Sequence, residues 1–197
     1  MCPNLKHFEG AAFHLRDIIE CLSPWVSHRL ENLIMHIFKD ADDPPEWDRE
    51  VFVRLARLTR LEILDLSWRL YLETEEPCFD EGNDDEDSDV DVVDVENYRA
   101  SRSKITRHKY DGVLHPTISL TLGAGLDLLE QLTGLRELRF LRCAQSMTEE
   151  DIRWIVKHLR NITSVAGWFN LDDHRHHKLG GILRRRGIKY IRHVVDQ

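Results

Sequence analysis

Cysteine, proline and long apolar runs are all scarce in this chain, and each scarcity removes a class of protein. The four cysteines, at positions 2, 21, 78 and 143, lie 19, 57 and 65 residues apart. That spacing suits neither a close-set zinc pair nor a compact disulfide framework, so reduced thiols are expected. No apolar run approaches the roughly 18 to 20 residues that span a bilayer, and no basic start followed by an apolar stretch opens the sequence. The expectation is a soluble protein, cytoplasmic or nuclear. Six prolines and ten glycines among 197 residues are too few for a collagenous or low-complexity chain. Leu122-Gly-Ala-Gly125 lacks the Lys-Ser/Thr with which a phosphate loop grips a nucleotide, and neither a nucleophile elbow nor HExxH occurs. No catalytic residue can be assigned and no cofactor is called for, which points away from an enzyme.

What is present is a globular mix, 42% hydrophobic and 31% charged, long enough for one sizeable core. The net charge of -8 is unevenly spread. Residues 73 to 96 hold thirteen Asp or Glu and no Lys or Arg, and setting them aside leaves 22 acids against 27 basic residues, about +5. The positive excess is slight and, outside Arg99 to Lys109 and Arg184 to Arg186, scattered, so nucleic acid is not the partner expected.

One pattern recurs. Leu58-Thr-Arg-Leu61-Glu-Ile-Leu64-Asp-Leu66 and Leu132-Thr-Gly-Leu135-Arg-Glu-Leu138-Arg-Phe140 both read LxxLxxLxL. Related anchors stand at Leu5/Phe8, Leu30/Leu33/Met35, Ile162/Val165/Gly167 and Ile188/Ile191, with first anchors 25, 31, 74, 27 and 26 residues apart. Four of these intervals are at or near the ~20 to 29 residues of a leucine-rich repeat, in which a short strand points alternate side chains inward and the remainder returns outside. Cys143 and Asn170 follow Phe140 and Gly167 at the spacing of the repeat's closing Cys or Asn. The intervening segments read as helices. Leu15, Ile18, Ile19 and Leu22 make one apolar stripe, as do Ile152, Ile155, Val156 and Leu159 behind a capping box at Thr148 and Asp151. Asp48 suits the cap of a third helix carrying Phe52 and Leu55, Leu126 to Leu132 a fourth, and Thr117 to Leu122 alternates like a strand. The fold class expected is α/β, a solenoid with a curved parallel sheet and outer helices. An ordinary α/β domain would give similar periods.

The long interval carries an insertion. The division expected is repeats over 1–72, a disordered acidic then basic insertion over 73–115, and repeats over 116–197, the two repeat regions forming one solenoid domain. Glu73 to Glu96 has too little apolar area to offset the entropy of ordering it. Ser88, with Asp91 three residues on, suits an acid-directed kinase.

Cys2-Pro-Asn-Leu-Lys-His-Phe8, Val51 to Ser67, Leu120 to Phe140 and Thr148 to Trp168 together resemble the leucine-rich-repeat region of fungal F-box-like proteins. The resemblance covers most of the chain outside 73–115. It implies a substrate-recognition part of a ubiquitin-ligase adaptor, in which an F-box ahead of the repeats docks on the ligase core. That element is missing ahead of Cys2, which leaves two readings open: a fragment of a longer chain, or a stand-alone repeat scaffold with no ligase link.

Residues flanking the inward leucines would line a concave recognition face, with an unidentified protein as partner. The anchors expected there are His36, Asp65, Arg139, Trp168, Tyr190 and Arg192, aromatic and arginine side chains being the usual energetic centres of protein recognition. Trp168 packing under a loop is the plainer alternative. His174, His176 and His177 form the one run with metal-ligand chemistry, and a metal-dependent enzyme built on them is a weaker alternative. Neighbours in one loop seldom converge on a metal, so a polar loop is expected there.

Overall fold

The computed structural model describes residues 4–21, 27, 29–68 and 114–192. Strands β1 (His7–His14), β2 (Asn32–Phe38), β3 (Ile63–Asp65), β4 (Glu137–Phe140), β5 (Ser164–Gly167) and β6 (Lys189–Ile191) pair side by side in chain order. Every pairing is parallel. The architecture is therefore α/β with a parallel sheet, six strands wide among the described residues.

The register explains the spacing of the leucines. Phe8, Leu33, Leu64, Leu138, Val165 and Tyr190 stand opposite one another from strand to strand. Parallel strands lie roughly 4.8 Å apart, so this row is a stack of touching side chains. Two residues on, Met35, Leu66 and Phe140 are buried on the same side, and three residues earlier Leu30, Leu61, Leu135 and Ile162 are buried in the turn entering each strand. Burying each such side chain contributes about 1.5 to 3 kcal/mol. The turns themselves repeat: the carbonyl of Glu31 accepts from the N–H groups of Glu62 and Ile63, that of Glu62 from Arg136 and Glu137, and that of Arg136 from Thr163 and Ser164. Equivalent carbonyls thus hand the chain from unit to unit.

The returning segments supply helices α1 (Leu15–Glu20), α2 (Glu46–Leu55), α3 (Glu149–His158) and α4 (Asp173–Arg185), with 3-10 turns at Leu122–Ala124 and Leu126–Gln131 between α2 and α3. Each packs on its neighbour in this order. Their buried side chains, among them Ile18, Phe52, Leu129, Ile155 and Leu183, share one apolar core with the leucine row. They therefore cover the same face of the sheet. The described residues belong to one compact unit drawn from both halves of the chain. None of the helices is long and apolar enough to cross a membrane.

Four expectations are corrected in detail. Asp48 does not cap α2, which starts two residues earlier behind Pro45; buried in the first turn, its carboxylate takes Lys39 Nζ at 2.7 Å and the Ser119 N–H at 3.1 Å. Thr117 to Leu122 is not a strand: the Gln145 side chain accepts from the Leu120 N–H and donates to the Ile118 carbonyl, doing the work of a neighbouring strand. Leu126 to Gln131 winds as a 3-10 turn rather than an α-helix, entered through Gly125 at φ 108°. The histidine run is no loop but the start of α4, where the Asp172 carboxylate accepts from the Arg175 N–H. The acidic run, Ser88 and the basic residues Arg99 to Lys109 lie outside the described residues. His115, placed at the end of the insertion, instead belongs to the fold, bridging to Cys143 and stacking on Trp68 with ring centroids 4.1 Å apart.

Candidate recognition face

With helices on one side of the sheet, the opposite side and the rim at the carboxyl ends of the strands carry the candidate residues. Alternation places Ile34, Asp65, Arg139, Ala166 and Ile191 in one row of this open face, in register from β2 to β6. Among the described residues, no helix packs over that row. Ile34 and Ile63 are half-buried there and Ile191 is exposed, while Arg139 sits between acids, with Glu137 hydrogen-bonded to one guanidinium nitrogen and Asp65 Oδ2 3.9 Å from the other.

Asp65 is nonetheless buried within this row. It is 2% exposed, and its Oδ1 accepts from the Ser67 N–H at 3.0 Å while Ser67 Oγ accepts from the Leu141 N–H at 2.8 Å. Its role is to fix the strand end and hold Arg139. His36 is likewise buried, at 4% exposure, with its ring edge-on to Phe38 and to Trp68 at centroid distances of 4.7 and 4.6 Å. The Leu66 carbonyl 3.3 Å from Nδ1 can only accept, so Nδ1 carries the proton and Nε2 the lone pair. That Nε2 is buried without a hydrogen-bond partner, as is Trp68 Nε1. Burial pulls the imidazole pKa down from 6.5 to about 4, with the Leu66 hydrogen bond opposing and the nearby His115 assisting. His36 is a neutral supporting residue at pH 7. With His14 stacked on Phe38 and His115 on Trp68, a belt of rings runs along the carboxyl rim of β1 to β3. The repeat pattern gave no sign of it.

The other end of the rim is built around Trp168, half-buried past the end of β5. Its ring lies parallel to His176 at 4.2 Å, and the Arg192 guanidinium carbon is 4.7 Å from its centre. Arg192 is in turn held by Asp173 at 3.3 Å and by His177 at 3.0 Å. A cation over an indole face contributes about 0.5 to 2 kcal/mol, more as water is excluded. Trp168 and Arg192 therefore come together as one prepared contact.

Tyr190 is a correction. It pairs with Val165 and so belongs to the core row, with Ile191 on the open face in its place. The last unit has one residue fewer between turn and strand, because Ile188 precedes Tyr190 by two residues where Ile162 precedes Val165 by three. Tyr190 packs on Phe169 at 5.0 Å, and its hydroxyl bonds His176 Nε2. The Phe169 N–H donates to His176 Nδ1 at 3.1 Å, so Nε2 bears the proton and donates to the tyrosine oxygen. Burial, with the Arg192 and His177 charges, lowers the His176 pKa to about 4 and burial raises that of Tyr190 to about 12. With both ring nitrogens engaged inside the protein, His176 has no lone pair to give a metal. His174 and His177 are exposed on α4. Cys143 is buried, its thiol donating to the Leu66 carbonyl at 3.2 Å, and burial pushes its pKa up to about 12. It is an inert thiol.

Comparison of the chain with protein-family models, curated proteins and solved structures finds no match.

Proposed function

We propose that this chain is a short leucine-rich-repeat solenoid that recognises another protein through the open face and carboxyl rim of its sheet, as the substrate-reading part of an F-box-type ubiquitin-ligase adaptor. The observation that carries the reading is the unit-by-unit repetition of one step, strand, turn carbonyl and outer segment, with helices gathered on a single face. Repeat architectures of this kind present their strand faces as extended binding surfaces. The contacts on offer are Ile34, Ile63, Glu137, Arg139, Trp168 and Arg192, a mixture of apolar, aromatic and guanidinium groups suited to a protein surface.

The test is affinity purification with Arg139→Ala and Trp168→Ala, each truncation expected to weaken the captured partner by about 1 to 3 kcal/mol, or roughly fivefold to a hundredfold. Far-UV circular dichroism checks that the variants fold. Unchanged partner binding by both folded variants would sink the recognition face. Co-isolation of the ligase core with the full-length protein separates the adaptor from a free-standing scaffold.

A further inference from the structure

The turn after β2 brings three carboxylates together. One carboxylate oxygen from each of Asp40, Asp42 and Asp43 lies within 4.8 Å of the other two. Asp40 and Asp42 are exposed, but the Asp43 side chain is only 3% exposed. Its Oδ2 accepts from the Asp40 N–H at 2.9 Å, whereas Oδ1 is buried with no hydrogen-bond partner. Leaving a buried carboxylate oxygen without a donor is costly, roughly 1 to 3 kcal/mol and more for a charged group. Arg16 stands 3.8 Å from that oxygen, close enough to lend charge and too far to hydrogen-bond. The other nearby basic side chains do not make up the difference: Lys39 is bound to Asp48 at 2.7 Å, and the His14 ring is 3.9 Å from Asp40.

We propose that Asp40, Asp42 and Asp43 bind one hard divalent cation, of the calcium class, with Asp43 Oδ1 as the buried ligand. Three carboxylates against one guanidinium leave two negative charges, which one such ion balances. Oxygen-only ligands suit calcium, magnesium or manganese rather than softer metals. An oxygen spread within 4.8 Å fits a sphere of calcium–oxygen bonds of roughly 2.4 Å, with water completing the shell on the side of the exposed Asp40 and Asp42. The ion would pin the turn between β2 and α2, beside the ring belt of His14, Phe38 and His36.

The experiment is calcium titration of the full chain by calorimetry together with thermal melting. The wild-type protein is expected to take up calcium with a melting-temperature rise of several degrees. Asp42→Asn and Asp40→Asn, both at exposed positions, should weaken that uptake at least tenfold and remove the rise. Asp89→Asn, within the acidic run, should change neither. Asp43→Asn should act as strongly as Asp42→Asn, and if it fails to fold the two exposed variants carry the test. No rise in the wild type would overturn the site. So would a rise kept by Asp42→Asn and Asp40→Asn, or one lost only in Asp89→Asn.

Discussion

Both ends of the carboxyl rim bury a histidine against a tryptophan, yet the two histidines are held differently. His176 lies flat on Trp168 and has both ring nitrogens bonded, one to the Phe169 backbone and one to Tyr190. His36 meets Trp68 edge-on, gives one proton to the Leu66 carbonyl and keeps an unpartnered Nε2. Ring burial lowers the pKa of both to about 4. What separates them is hydrogen bonding, so the β5 to β6 end is a completed network and the β2 to β3 end an incomplete one. A completed buried network rigidifies its surroundings, and an incomplete one is the natural place for water, a ligand or movement.

Acidification gives the largest expected effect. Both histidines have folded-state pKa values near 4, below the 6.5 of the unfolded chain. Between those values the unfolded chain binds more protons. The stabilisation is therefore complete above about pH 6.5 and is lost as the pH falls toward 4, on the order of 3 kcal/mol for each histidine. Urea unfolding at pH 7 and pH 4.5 measures it, with His36→Phe expected to remove its share of the slope and leave that of His176. A slope unchanged by His36→Phe would place the titration elsewhere.

The next effect probes the packing at the β5 end. Gly167, at φ 155°, stands opposite Phe140, and a methyl group there would meet the ring at 2.3 Å. Gly167→Ala is expected to cost about 1 to 3 kcal/mol through overpacking. Gly181 on α4 has nothing within 4 Å of the added carbon, so Gly181→Ala should gain up to about 1 kcal/mol as an ordinary helix substitution. Thermal melts of the pair decide it, and equal shifts would contradict the close approach of β4 and β5.

The smallest effect sharpens the comparison itself. Tyr190→Phe leaves His176 with one bonded nitrogen, the situation of His36, and is expected to lower stability by about 1 kcal/mol while keeping the fold. Hydrogen exchange at the Phe169 amide is the more telling readout, since faster exchange would show that the tyrosine tightens the network. Unchanged stability and exchange would mean that the network gains nothing from being complete.

These two histidine sites also mark the limit of what the sequence reveals. Leu61, Leu64 and Leu66, or Leu135, Leu138 and Phe140, could be read as core because their spacing reports burial one unit at a time. The capping box at Thr148 and Asp151 is equally local, and it is present in the structure. Tyr190 was misplaced because a unit shortened by one residue reverses every side chain after it. The start of α4 was hidden because Asp173 to Lys178 shows almost no apolar stripe, His176 alone being buried there. The ring belt was illegible for a different reason. His36, Trp68 and His115 are separated by 32 and 47 residues, and no local rule joins them. The Asp40, Asp42 and Asp43 turn was in plain view, but only the burial of Asp43 distinguishes it from a solvated acidic run.

The stacking of His115 on Trp68 has one more consequence. Trp68 and His115, 47 residues apart in the sequence, meet ring on ring, so the two ends of the connection between them lie at one point of the rim. The entropy of joining two such fixed points by a flexible chain grows only with the logarithm of the chain's length, each doubling adding roughly 0.6 kcal/mol. Splicing a tag, a reporter or a whole domain in between these two rings, or shortening the acidic run, is therefore expected to change the stability of the described fold little.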